Sequence, residues 1–215
     1  MVPLSTKMQG PAEKKAAQPS EGSEIHRLRL LEAFAGAVSL HGYASTTIAD
    51  IVKSARVSKR TFYENFADKE ECFLALYAEA SKILSAGVAE ALQAPAPTWQ
   101  AQLDAGLDAY LTALESNPAL TRACLLEINA AGPRALELRL RGHAKFAKLL
   151  REFVARTREQ RPELRPLGES MALAVVAGID ELLLVSVESG AKSSFQELRA
   201  TAAELMRAVL GVHDD

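Results

Sequence analysis

The stretch "STTIADIVKSARVSKRTFYENFADKEECF", residues 45–73, decides how the chain reads. Thr46 and Thr47 can each cap a helix, because a hydroxyl oxygen accepts a free N–H of the first turn. In that helix Ile48, Ile51 and Val52 face inward, and Asp50 lies near its positive N-terminal end. "ARVS" then makes a tight connection, and Ser58 is placed to cap a third, short helix running roughly from Lys59 to Asn65. Phe62 and Phe66, four positions apart, share the inward face of that helix. Asp68 opens a fourth helix with Glu70 and Glu71 in its first turn.

So short a helix contributes little stability alone, and its purpose must show on its exposed face. That face carries Lys59, Arg60, Thr61, Tyr63 and Asn65, and with Lys53 and Arg56 it forms a cationic patch free of acids between residues 53 and 60. The chain as a whole has 25 Lys and Arg against 27 Asp and Glu, a net charge of -2, which excludes a wholesale polybasic nucleic-acid binder. Attraction to phosphate must come from the local patch. The order of the helices matches a helix-turn-helix, whose second helix presents its N-terminal residues to the major groove. Lys59 and Arg60 can donate to guanine O6 and N7, Thr61 can touch a base edge or thymine methyl, and Tyr63 can reach a phosphate. Thr46, Thr47, Arg56 and Lys69 are placed to grip phosphates on either side, with Ser58 at the turn. Spacing alone leaves a second reading open, a charged rim helix of an ordinary helical bundle with Glu64 facing solvent or an ion-pair partner.

Outward from this stretch, residues 1–23 mix Pro, Gly and Ser with scattered charge and read as a disordered arm. From Glu24 a helical period places Leu28, Leu31, Ala35 and Val38 on one face until Gly42 stops it. The fourth helix carries Phe73, Tyr77, Ala80, Leu84 and Val88 as a stripe and ends before "APAPT". Beyond it, helices are expected over 99–116, 119–130, 134–160, 168–188 and 195–210, with "SGAKS" between the last two. The fold class is therefore all-α, with about nine helices. Its expected divisions are an arm at 1–23, a helix-turn-helix domain at 24–70 and a C-terminal bundle at 71–215, joined through the helix at 68–93. Cys72 and Cys124 have no paired spacing, which points away from a disulfide framework or zinc site and towards a reducing cytoplasm. No uninterrupted apolar run reaches the roughly 18 residues of a membrane span, and no membrane partner is expected.

"GYASTTIADIVKSARVSKRTFYENFADKEECFLALY", residues 42–77, resembles the N-terminal DNA-binding domain of the TetR family of bacterial transcription regulators. The likeness rests on Gly42 and the aromatic residue after it, "TTIADIVKSARVS", "TFYENF" and "DKEECF" at the head of a long helix. It implies that Thr47, Lys59, Thr61, Tyr63, Asn65 and Lys69 occupy DNA-facing positions. Many members of the family carry Gly where this chain has Arg56, which puts the turn geometry in question.

The resemblance fades after about residue 92. It implies a C-terminal bundle that encloses a small-molecule site and builds a homodimer. Tyr110, Glu127, His143 and Asp180 are the candidate polar members of an apolar ligand site, with Trp99, Leu103, Leu107, Ile128, Phe146 and Phe153 as candidate walls. The helices at 168–188 and 195–210 are the expected dimer interface. "MALAVVAGIDELLLVSVESG" is very apolar, and Leu198, Ala202, Leu205, Met206 and Val209 form a second stripe. The expected function is a dimeric repressor, released from a palindromic operator by a small, largely apolar effector. A ligand-independent or architectural helix-turn-helix protein is the alternative. An enzyme acting on an apolar substrate is the remote one, because the chain shows no triad order, zinc spacing or phosphate loop, and no cofactor or metal is expected.

Overall fold

The computed structural model describes residues 21–189 and 194–211. Among these residues the chain forms nine α-helices, one 3₁₀ turn and no strand. The helices are α1 Glu21–Ser45, α2 Ile48–Ala55, α3 Lys59–Asn65, α4 Lys69–Ala91, α5 Trp99–Ser116, α6 Pro118–Leu126, α7 Pro133–Arg158, α8 Glu169–Ser189 and α9 Ser194–Leu210, with the 3₁₀ turn at Ile128–Ala131 between α6 and α7. Most of the expected arm and most of the "SGAKS" connection lie outside the described residues. The first helix begins at Glu21, ahead of the expected Glu24.

Gly42 breaks α1 as the sequence suggests. Its φ of 76° and ψ of 162° are values that a side chain disfavours. The break redirects the chain so that Thr47 starts α2 with a reciprocal cap: its hydroxyl accepts from the Asp50 N–H, and the Asp50 carboxylate accepts from the Thr47 N–H. Asp68, Thr98 and Asn117 cap α4, α5 and α6 in the same manner, each side chain accepting an N–H three residues on. The helix expected at 119–130 ends early. It stops at Leu126, and Ile128–Ala131 tightens to 3₁₀ before Gly132 turns the chain into α7.

Two apolar cores result. The first gathers Leu30, Phe34 and Val38 of α1, Ile51 of α2, Phe62 of α3, Phe66, and Cys72 and Phe73 of α4, and it also takes in Ala123, Ile128 and Ala135 from beyond the Pro-rich linker. Leu28, expected inside, is 47% exposed, and the inward face runs instead through Leu30, Leu31, Phe34 and Val38. The second core joins Val88 and Leu92 of α4 to Leu103, Leu107 and Leu111 of α5, Leu150 and Phe153 of α7, Ile179 and Leu183 of α8, and Leu198 and Ala202 of α9. The α9 stripe therefore packs inward. Exposed apolar side chains are found on α8, at Met171, Leu173, Leu182 and Val185.

Helices α4 and α5 approach closely because α5 carries Gly106 at the crossing, where an added Cβ would lie 2.6 Å from Leu92 Cδ2. By length and composition alone, Lys69–Ala91 and Glu169–Glu188 are apolar enough to cross a bilayer, although neither is an uninterrupted apolar run. Each also supplies side chains to the cores just described.

Candidate DNA-binding helix and ligand cavity

Helix α3 is held by both its ends and its back. Ser58 Oγ accepts from the Thr61 N–H at 3.0 Å, and the Phe66 N–H donates to the Phe62 carbonyl at 2.8 Å. Phe62 and Phe66 are buried, their ring centroids 5.7 Å apart, and the Arg27 guanidinium lies 4.9 Å from the Phe66 ring. What remains outward is Lys59, Arg60, Tyr63 and Glu64, with Thr61 and Asn65 half-buried at the edge. Asn65 donates its amide to the Thr61 carbonyl, and Arg60 pairs with Glu64 at 2.9 Å, so Glu64 takes the ion-pair role. Lys53, Arg56 and Lys59 keep their charge outward. The Thr47 hydroxyl and N–H hold the Asp50 carboxyl below its usual range.

Two expected phosphate contacts are otherwise engaged. Thr46 is buried and its hydroxyl donates to the Gly42 carbonyl at 2.8 Å, so the break in α1 consumes it. Lys69 turns back towards the end of α1. Its ammonium donates to the carbonyls of Tyr43 and Thr46 and lies 4.3 Å from the centre of the Tyr43 ring. A cation at the carbonyl end of a helix offsets the helix dipole, which explains that placement.

Arg56 ends α2 with φ 53° and ψ 46°, the left-handed conformation, and is the non-glycine residue with positive φ among those described. A side chain there costs roughly 1 kcal/mol. Arg56→Gly is expected to raise stability by up to about that amount in a urea melt while weakening DNA binding by the loss of one phosphate-facing cation. Unchanged DNA affinity would remove Arg56 from the interface.

Beyond the second core a cavity of ≈ 400 Å³ opens between α4, α5, α6, α7 and α8. Ala80, Leu84, Leu114, Leu120, Phe146 and Val176 contribute apolar wall. A smaller space of ≈ 70 Å³ adjoins it, lined by Leu103, Leu107, Leu149 and Ile179 and sharing Tyr110, Phe146 and Val176 with the first. Polar groups gather where α7 faces α8. The Asp180 Oδ2 accepts from Arg139 Nη2 at 2.6 Å and lies 3.2 Å from His143 Nε2. Burial raises the Asp180 carboxyl, but the His143 and Arg139 hydrogen bonds and charges outweigh it and leave the group below its ordinary value. Tyr77 and Tyr110 stand within the field of Asp180, and burial first, then neighbouring negative charge, raises both phenols well above their usual value. Cys124, also on the wall, is pushed up to about 12 by burial and stays a thiol.

The structure thus brings together Leu103, Leu107, Tyr110, His143, Phe146 and Asp180 of the expected site. It separates the other four. Trp99 and Phe153 lie in the second core beside a polar surface cleft. Ile128 is fully buried in the first core, and Glu127 reaches α1, where its Oε2 accepts from the Tyr43 N–H at 2.8 Å. Arg139 and Tyr77 escaped the sequence reading. Arg139 stands one helical turn before His143 and could have been found by that spacing, whereas Tyr77 sits in a stripe indistinguishable from core. Among the described residues no cluster of His, Cys, Asp and Glu could hold a metal ion.

Residues 30–76 match the family model described as bacterial regulatory proteins, tetR family. No curated protein matches the chain. Among solved structures, the fatty acid degradation regulator FadR from Bacillus halodurans aligns with a TM-score of 0.76 at 18% identity, covering 92% of this chain and 100% of its own. FadR from Bacillus subtilis, solved in complex with stearoyl-CoA, gives 0.74 at 19% identity, over 86% of this chain and 99% of its own. The TetR family regulator PfmR from Thermus thermophilus gives 0.61 at 20% identity, over 83% and 97%. At such identities the likeness shows the fold, not the ligand, over the aligned 83% to 92% of this chain.

Proposed function

We propose that this chain, which carries a TetR-family N-terminal domain on the all-α fold of such regulators, binds a palindromic operator as a homodimer and is released by a small, largely apolar ligand. The observation that carries the reading is α4. It begins against the α1 break, where Lys69 donates to the Tyr43 and Thr46 carbonyls, and its middle, from Tyr77 to Gly87, lines the cavity. A ligand that favours one placement of α4 over another shifts the population of DNA-competent dimers, and its effect is bounded by that difference in affinity. Helix α6 offers a second connection, since Cys124 faces the cavity and Glu127 holds the Tyr43 N–H.

Dimerisation is supported by the exposed apolar residues of α8, Met171, Leu173, Leu182 and Val185. Two copies would present two α3 helices to half-sites about one DNA turn apart, roughly 34 to 36 Å. One seven-residue helix offers few base contacts alone. The stearoyl-CoA bound by Bacillus subtilis FadR supports an acyl-chain type of ligand for a cavity with so much aliphatic wall. As a regulator of this kind the protein would work in the bacterial cytoplasm.

Selection of duplexes from a random pool tests the reading. A palindrome with half-sites about ten base pairs apart is the expected result, and no enriched motif at moderate salt would end it. On the selected operator, Lys59→Ala is expected to relax discrimination at particular base pairs by about 1 to 3 kcal/mol, because a lysine donating to guanine reads the base. Tyr63→Phe is expected to weaken all sequences alike, as loss of a phosphate contact does. An equal loss across bases for Lys59→Ala would place Lys59 on the phosphates. Operator binding indifferent to every apolar compound that enters the cavity would leave a ligand-independent regulator.

A further inference from the structure

We infer that the cavity takes an uncharged ligand, an aliphatic chain bearing one hydrogen-bond acceptor of the carbonyl type, and discriminates against free carboxylates and amines of the same length. This rests on the cavity being a ligand site, as proposed above, and names what kind of molecule enters it. The formal charges on the wall cancel. Arg139 is the cationic lysine or arginine of the lining and Asp180 its acid, and they are committed to each other at 2.6 Å with side chains only 15% and 9% exposed. His143 Nε2 lies against the same carboxylate oxygen at 3.2 Å. A ligand carboxylate that recruited a remaining N–H of Arg139 would place two acids against one guanidinium in a largely apolar space. A ligand amine would have to displace Arg139 from Asp180 and leave that guanidinium unpaired.

Uncommitted hydrogen bonding lies elsewhere on the wall. The Tyr77 and Tyr110 hydroxyls make no hydrogen bond to a protein group among the described residues, and Ser81 Oγ is in the same state. Tyr77 and Ser81 converge at Gly142 of α7, where an added Cβ would stand 3.4 Å from the Tyr77 hydroxyl and 3.6 Å from Ser81 Oγ. A phenol that stays protonated is a donor waiting for an acceptor, and a neutral carbonyl oxygen supplies one without bringing charge. The aliphatic wall then has room for the chain.

The test is calorimetric titration of the full chain, free of DNA, at pH 8 with 2-nonanone, octanoate and octylammonium, probes of nearly equal length and different head charge. The ketone is expected to bind about tenfold tighter than either ion. Tyr77→Phe with Tyr110→Phe should weaken the ketone by about tenfold, the effect of one or two hydrogen bonds. Asp180→Asn, which frees the guanidinium, should move the preference towards octanoate. Octanoate or octylammonium binding as tightly as the ketone to the unaltered protein overturns the inference. So does a ketone affinity untouched by the tyrosine changes in a protein whose circular dichroism is unaltered, or a failure of the ketone to bind at all. Operator release is read separately. A ketone that binds as expected but never releases DNA counts against the regulatory reading and leaves this one intact.

Discussion

Replacing Arg139 by alanine is expected to destabilise the protein by about 3 to 5 kcal/mol, the range for stripping one partner from a buried ion pair. Asp180 is 6% exposed, and the Arg139 guanidinium 2.6 Å away makes its shorter hydrogen bond, with His143 at 3.2 Å. Without it the carboxylate keeps only His143. The net contribution of the pair is much smaller than the cost of breaking it, because both charges were desolvated to form it. The double replacement Arg139→Met with Asp180→Leu should therefore lose far less than Arg139→Ala alone, and a double-mutant cycle in urea separates the two quantities. The same site fixes a pH dependence. The Asp180 carboxyl in the folded protein lies below its reference value of 3.8, so its stabilisation is complete above that value and is lost as the pH falls through the lowered one. Arg139→Ala removes part of the cause of the lowering, and the acid limb of its stability profile should begin at higher pH. Identical acid limbs for the two proteins would mean that Arg139 does not hold the Asp180 charge.

Phe62→Ala is expected to cost about 3 to 5 kcal/mol as well, and its consequence for DNA should be near-complete loss of operator binding. Phe62 is fully buried, with Phe66 at 5.7 Å and Tyr63 at 5.5 Å between ring centroids. Helix α3 has seven residues, too few to hold itself as an isolated helix, so Phe62, buried in the first core, is its main anchor to α1 and α2. Removing the ring frees the helix that carries Lys59 and Tyr63 without touching either. Phe62→Leu, which keeps most of the apolar volume, should recover most of the stability and the binding. A variant that lost stability yet bound the operator with full affinity would show that α3 orders on DNA rather than before it.

Local chemistry accounts for what was legible in the chain itself. Ser58 as a cap, Phe62 and Phe66 at helical spacing, "APAPT" as the boundary after α4, and Gly42 as a stop all act locally, and the structure follows each of them. The cationic patch was legible for the same reason, since residues 53 to 60 are adjacent along the chain. Tertiary structure decided everything that required two distant segments. Thr46 and Thr47 are alike in sequence, and only the direction taken after Gly42 buries one and makes the other a cap. Leu28 continues the period of α1 but overhangs the core that Leu30 and Phe34 enter. Glu127 reads as a pocket residue until the 3₁₀ turn aims it at Tyr43, and nothing near Arg139 in the chain announces Asp180, which α8 brings against it from 41 residues away. A helix repeat reports which side chains share a face, while the partner of that face is set by packing between segments far apart along the chain, and no local period encodes it.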